Sequence, residues 1–444
     1  GATRSFPHRI SDFPYLRSTR VLASFRNGVD SEARMSAWLD HLAAADRQAR
    51  RSELVQLPAK AHRQLTRLAT DTALPGLASD AEPETRINAC RALLIERDRE
   101  SEARLQQLRD AVAPADEYSL VQRMAGLYPL ASLGVSAGVA RWHDEVRQTY
   151  AESLGAASPI GELRRYGAGL SPDNRDRTPL KRDALDIPRP DALQLAALYR
   201  AHAPVWEIDT VSDADIPGSP VWKRGGNEPG VSTEEPLVYR YSSVTRFRGR
   251  PRLQLNYLIW FDARPPSGPL DMLAGRLDGV IWRVTLGDDG APLIYDSVHA
   301  CGCYHLLFPV GDVALRPEAL RLPEPPLTPI ALLAPPPGTR VHLRLSAGAH
   351  YLEAVSHAVP GTGSARYRFV RREALYKTPV IGGGQRSLFR RDGLVAGTGR
   401  GERWFLWPTG VRSPGAMRER GRRATAFIGR RHFDDAFVFD KLFY

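Results

Sequence analysis

Val280-Ile281-Trp282-Arg283-Val284-Thr285-Leu286-Gly287-Asp288-Asp289-Gly290-Ala291-Pro292-Leu293-Ile294-Tyr295-Asp296-Ser297-Val298 reads as two strands joined by a tight turn. Val280, Trp282, Val284 and Leu286 alternate with Arg283 and Thr285, the period of two that separates the faces of a strand. Gly287-Asp288-Asp289-Gly290 supplies the residue types that hairpin turns demand. Upstream, Leu253, Leu255, Tyr257, Ile259 and Phe261 alternate in the same way against Gln254 and Asn256. Downstream, residues 341–346 and 350–356 suggest another hairpin, turned at Ala347-Gly348-Ala349. Residues 205–444 therefore read as a β-rich, mainly antiparallel domain. Proline-rich residues 316–337 should be an extended connection within it. The aromatic end, residues 433–444, should pack onto its body.

Toward the N-terminus the period changes. Residues 1–168 read as a helical domain, with helices over 31–49, 59–70, 84–96, 101–112 and 136–154. Asp30 or Ser31 caps the first of these. In the last, Val139, Trp142, Val146 and Tyr150 recur at helical spacing, and His143 beside them reads as part of a solvated face. Residues 169–204 form a linker, with Ser171-Pro172-Asp173-Asn174 as its strongest turn signal, ending in a short helix over 192–201. The fold class is α+β: a helical N-terminal domain followed by a β-rich C-terminal domain.

Composition narrows the function classes. With 43% hydrophobic and 25% charged residues, the chain has the balance of a soluble globular protein. It has no run long and apolar enough for a transmembrane segment. The net charge is +11, yet only five of the 61 basic residues are lysine. That excess of arginine is what a GC-rich bacterial genome produces, and the arginines are spread along the chain. Nucleic acid is therefore an unlikely partner. The densest basic cluster, Arg418, Arg420, Arg422 and Arg423, is the candidate for an anionic ligand. The chain starts at Gly1, which reads as a processed or engineered start, and leaves bacterial periplasm and cytoplasm equally open. P-loop and H-E-x-x-H strings are absent, so those nucleotide-binding and zinc-protease classes lack their markers. Gly382-Gly383-Gly384 reads as a loop.

The hairpin runs directly into His299-Ala300-Cys301-Gly302-Cys303-Tyr304-His305. Two of the three cysteines and two of the eleven histidines fall within seven positions. Thiolate and imidazole suit a transition metal, with zinc the first choice and copper or iron the others. In a flat strand, residues two apart stand roughly 7 Å from each other. A zinc–sulfur bond is only about 2.3 Å, so one ion reaches both sulfurs only if the chain bends. Gly302 is the residue that permits the bend. His299, Cys301, Cys303 and His305 are then the candidate ligands. His350, His357 and His432, with His342, Asp434 and Asp435, are the distant groups available to complete a site.

Three functions follow from these residues. The leading expectation is a metal-dependent enzyme, hydrolytic or redox. The first alternative is a non-catalytic structural or binding protein of the bacterial envelope, in which the motif pins a sheet edge. The second is a thiol–disulfide active protein, because a Cys-Gly-Cys disulfide closes a strained, easily reduced ring. The third cysteine, Cys90, sits in a helical pattern and reads as a small buried apolar residue. Trp404-Phe405-Leu406-Trp407 reads as a binding edge, whereas Trp260 and Trp282 read as core.

Overall fold

A computed structural model describes residues 6–70, 74, 77–78, 81–153, 159–169, 179–359 and 365–444. The turn signal Ser171-Pro172-Asp173-Asn174 lies outside the described residues. Helices dominate the first half of the chain and strands the second, which is the expected α+β layout. The chain divides into two compact units. The first holds residues 1–116, 183–185 and 389–394, and the second holds the remainder.

The first unit opens with strands β1 (His8–Ile10) and β2 (Phe13–Ser18), followed by helices α1 (Arg20–Ala23), α2 (Glu32–Val55), α3 (Ala59–Thr70), α4 (Pro83–Arg99) and α5 (Glu102–Ala111). Helix α2 starts where the sequence signals it: the Ser31 hydroxyl accepts the Arg34 N–H at 3.3 Å. Ser101 caps α5 in the same way. Phe13, Leu16, Trp38, Leu39, Leu42 and Leu108 build a core of which almost nothing is exposed. Asp46 is buried among them. Its carboxylate receives Arg17 Nε at 3.1 Å and the guanidinium of Arg91. Arg17 also donates to Glu53 at 2.6 Å, and Arg91 to the Tyr15 carbonyl at 3.1 Å. Cys90 is exposed, contrary to expectation. The α4 face buried in this unit runs through Arg86, Arg91, Ile95 and Asp98, and Cys90 stands outside that set.

The second unit begins with helices α6 (Leu120–Ala125) and α7 (Tyr128–Ser153). Helix α7 thus packs with the β-rich unit, whereas its sequence assigned it to the helical domain. Strands β3 (Glu162–Gly167) and β4 (Val205–Thr210) flank α8 (Ala192–Ala201), whose cap is Asp191. Next come β5 (Ser219–Trp222), β6 (Pro229–Ser232), β7 (Leu237–Phe247), β8 (Arg250–Arg264), β9 (Gly275–Leu286), β10 (Pro292–His299) and β11 (Leu306–Pro309). The remaining pieces used below are β12 (Arg340–Leu345), β13 (Leu352–Ala358), β14 (Ala365–Arg366), β15 (Arg368–Arg371), α9 (Arg403–Leu406) and α10 (Val438–Leu442).

A six-stranded sheet runs β11-β10-β9-β8-β7-β15, and a five-stranded sheet runs β13-β12-β4-β3-β14. Pairing is antiparallel except β15 with β7, β12 with β4, and β14 with β3. One apolar core draws on both sheets, with Trp206, Tyr257, Trp282, Phe308 and Leu343 at its centre. The alternating strands nevertheless bury both faces. Gln254, Asn256, Arg283 and Thr285 are all within 1% of complete burial. An alternating antiparallel strand ordinarily leaves its polar side chains in water. Here Gln254 donates to Thr285 at 3.1 Å and Asn256 to Ser243 at 2.9 Å, which satisfies those polar groups inside. The C-terminal residues Phe439, Leu442 and Phe443 cover part of that second face, as the aromatic end predicts.

Candidate active site

Strand β10 ends at His299 and β11 begins at Leu306, so the motif occupies a tight reversal. The Gly302 N–H donates to the His299 carbonyl at 2.8 Å, and the His299 N–H donates to the Cys303 carbonyl at 3.0 Å. Gly302 has φ of +101°, and a Cβ there would stand 2.6 Å from the Ala424 carbonyl oxygen. Both the backbone and the neighbouring chain therefore require glycine. The bend expected at Gly302 is present.

The bend brings the two sulfurs together. Both cysteines are free. Cys301 is 2% exposed, and its Sγ accepts the Cys303 N–H at 3.3 Å. The Cys303 side chain also acts on the Cys301 sulfur, in the sense that favours its ionised form. Burial opposes ionisation of Cys301, but the Cys303 side chain, the Arg400 charge and the Cys303 N–H together lower its pKa. Cys303 is driven well upward by donating to Cys301 and by burial. The pair thus favours a thiolate at Cys301 and a protonated thiol at Cys303.

The two histidines part company with the sulfurs. His299 Nδ1 is 3.3 Å from Asp278, and His305 Nε2 is 2.8 Å from Asp296. Asp296 also receives both ends of the Arg283 guanidinium, at 2.8 and 2.6 Å. Asp278 further holds His350 Nδ1 at 3.0 Å and Arg400 Nη2 at 3.2 Å. Burial alone would raise Asp278, yet His299 and Arg400 hold it well below the usual carboxylate range. Burial lowers both His299 and His305 against the pull of their carboxylates. His350 lies against Phe261, ring on ring at 3.8 Å, and Asp215 stands 3.4 Å from its Nε2. Its pKa is raised: burial opposes protonation, and Asp215 and Asp278 outweigh it.

The other sequence candidates are dispersed. His342 Nδ1 meets Glu207 at 3.1 Å. His357 packs near Tyr295, and His432 accepts the Glu117 N–H at 3.2 Å. Asp435 pairs with Lys441 at 3.4 Å. Among the described residues, no group of three or more His, Cys, Asp or Glu side chains is placed to hold a metal ion.

The arginine cluster does not form an anion-facing surface. Arg418 and Arg423 are 1% and 2% exposed. Arg418 donates to the Ser413 carbonyl at 2.8 Å, and Arg423 to the carbonyls of Ala300 and Arg418. Arg422 pairs with Glu117 at 3.3 Å, and Arg420 lies 5.1 Å from the Tyr241 ring. These guanidiniums are spent on backbone carbonyls of the loop and of the cysteine turn. Through Ala300, Arg423 anchors the cysteine turn itself.

Beside the turn lies a cleft of about 550 Å³. Its walls include Cys303, Tyr304, Phe405, Leu406 and one stripe of α7. On that stripe, Gly134 and Gly138 are small enough to leave the space open; a Cβ at either would meet nothing within 4 Å. Gly134-Val135-Ser136-Ala137-Gly138 also fits the G-x-S-x-G string of a nucleophile elbow. The elbow needs a strand-to-helix turn, whereas this string lies within α7 and Ser136 is exposed. Trp404 and Phe405 are each 66% exposed, and Phe405 forms part of the cleft wall.

His143, expected on a solvated face, is 6% exposed and lines this cleft. It lies four residues after Val139, on the stripe the sequence already marks as apolar. Its ring has no hydrogen-bond partner among the described residues. Burial, with the charges of Arg147 and Arg431, lowers its pKa to about 4. Glu402 is 8% exposed and likewise has no hydrogen bond or ion pair to its carboxyl among the described residues. Burial raises it, against Arg400, Arg264 and Arg418. Glu324 and Arg431, also in the wall, pair at 3.2 Å.

No protein-family model matches this chain, and no curated protein or solved structure is detectably similar to it. Among the described residues no helix is long and apolar enough to cross a membrane.

Proposed function

We propose that the second unit is a thiol–disulfide active enzyme whose Cys301 and Cys303 reduce a disulfide substrate seated in the cleft. The observation that carries this reading is the pair of free cysteines, linked by the Cys303 N–H to Cys301 Sγ bond with Cys303 at the cleft wall, on a turn that requires Gly302. A ligand-sized space beside them supports a small-molecule substrate, since such sites occupy roughly 300–1,000 Å³.

Cys303, the less buried member of the pair, makes the first attack. It passes its proton to the Cys301 thiolate and attacks one sulfur of the substrate, R–S–S–R′. A Cys303–S–R bond forms, the S–S bond breaks, and R′S⁻ leaves. Cys301 then loses the proton, which the departing thiolate takes up, and Arg400 favours the resulting anion. Cys301 attacks the Cys303 sulfur, forms the intrachain disulfide and expels RS⁻, which is protonated by solvent. Two electrons pass from the dithiol to the substrate, and the products are RSH and R′SH. The ring strain of Cys-Gly-Cys makes the oxidised form easy to reduce again, which suits turnover.

The expectation of a metal enzyme keeps two of its four ligands in this geometry. Zinc, copper or iron at Cys301 and Cys303 would need ligands other than His299 and His305, which are drawn to carboxylates.

The test uses the full chain with Cys90→Ser, because Cys90 is exposed and reacts on its own account. The reduced protein is mixed with one equivalent of a chromogenic aromatic disulfide. Release of two aromatic thiols per chain and loss of two hydrogens from the protein mass is the expected result. Adding Cys301→Ser should leave a stable mixed disulfide on Cys303. A wild-type pair that remains unreacted, or stops at the mixed disulfide, overturns the reading.

A further inference from the structure

We propose that the cleft is built for an apolar-bodied molecule, uncharged or cationic, whose N–H or O–H donor is accepted by Glu402 and His143. This rests on the cleft being a substrate site, but not on the thiols doing the chemistry.

Three observations converge. The first is shape and polarity: Val135, Val139, Trp142, Phe405, Leu406 and Phe427 supply apolar walls, and Gly134 and Gly138 leave them room. The second is two polar side chains that open onto the cleft. His143 and Glu402 are more than nine-tenths buried, line the cleft and have no hydrogen-bond partner among the described residues. Their polar atoms face the cleft, where a bound molecule can reach them. A ligand that brings a donor meets an acceptor that no protein group occupies.

The third observation is charge. Glu324 and Arg431 cancel within the wall. His143 and His305 both line the cleft and are held toward their neutral forms by burial. Glu402 is left as the single carboxyl without a direct counterpart. Arg400, Arg264 and Arg418 act on it through space but donate no hydrogen bond to it. Carboxylate oxygens and a neutral imidazole nitrogen both accept, so the complementary head group donates. An anionic head brings acceptors, not donors, to these two groups.

The test is fluorescence binding of N-phenylnaphthylamine, an apolar amine that carries one N–H, to the full reduced chain. Saturable binding at one site per chain is expected. Anilinonaphthalene sulfonate, which adds an anion to a similar body, should bind at least about tenfold more weakly. Gly138→Leu fills open space without displacing backbone and should weaken the amine at least about tenfold. Gly134→Leu serves the same purpose should Gly138→Leu lower the unfolding temperature. Glu402→Leu should weaken the amine about tenfold, yet leave phenylnaphthalene, which has no N–H, within about twofold. Absence of saturable binding, indifference to both glycine substitutions, or equal binding of the sulfonate overturns the proposal. None of the probes contains a disulfide. Failure here leaves the dithiol reaction standing, and failure of the dithiol reaction leaves this binding to be measured.

Discussion

Two buried charge networks in this molecule have opposite character. In the first unit, Asp46, Arg17, Arg91 and Glu53 saturate one another: Arg91 alone reaches Asp46, the Tyr15 carbonyl and Asn88. In the second, the groups beside the cysteine turn are left open. Arg400 is 1% exposed, yet its Nε and Nη1 have no partner, and His143 and Glu402 have none either. A saturated network fixes a fold, whereas an unsaturated one at the wall of a cleft is poised for a ligand.

Asp46→Ala leaves the Arg17 and Arg91 guanidiniums buried without their shared carboxylate. Removing one partner of a buried ion pair costs about 3–5 kcal/mol. The midpoint of urea unfolding for the first unit should fall accordingly, with the thiol chemistry of the second unit unchanged in whatever fraction remains folded. A loss under about 1 kcal/mol would show that the network is not what holds this unit.

At the open end the expected effect is smaller and depends on pH. An unfolded histidine titrates near 6.5, and folded His143 at about 4. As pH falls between those values, the unfolded chain takes up the proton first, so stability is lost from about pH 6.5 downward and levels off near pH 4. The difference between wild type and His143→Gln isolates this from the other acid-sensitive groups, Asp278 and His299 among them. Its size should be about 1–2 kcal/mol, below the full shift because the cleft admits water. Equal acid sensitivity in both proteins would place His143 in contact with solvent after all.

Much of the fold is legible in the sequence because its signals are local. Ser31, Ser101 and Asp191 each cap the helix they precede. The hairpin at residues 287–290 and the bend at Gly302 follow from glycine chemistry alone. The site is less legible because it depends on partners supplied by other strands. The spacing of His299 and His305 suggested ligands, but Asp278 and Asp296, on β9 and β10, claim them. Part of this was recoverable: the hairpin register that pairs Asp296 with Arg283 is implied by the position of its turn. His143 was also recoverable, since four residues separate it from Val139. The burial of Arg418 and Arg423 was not, because nothing in a run of arginines tells which carbonyls of a distant turn they will meet.

The central claim is that the two sulfurs at the Gly302 turn form one redox unit. Its most direct test is to equilibrate the Cys90→Ser chain in glutathione buffers of graded redox ratio, trap the thiols with acid and alkylator, and weigh the peptide that contains residues 301–303. The expected outcome is a single transition between two free thiols and one intrachain disulfide, at a potential more oxidising than that of a typical structural disulfide. Two free thiols at every ratio, or glutathione adducts in place of the disulfide, would contradict the account.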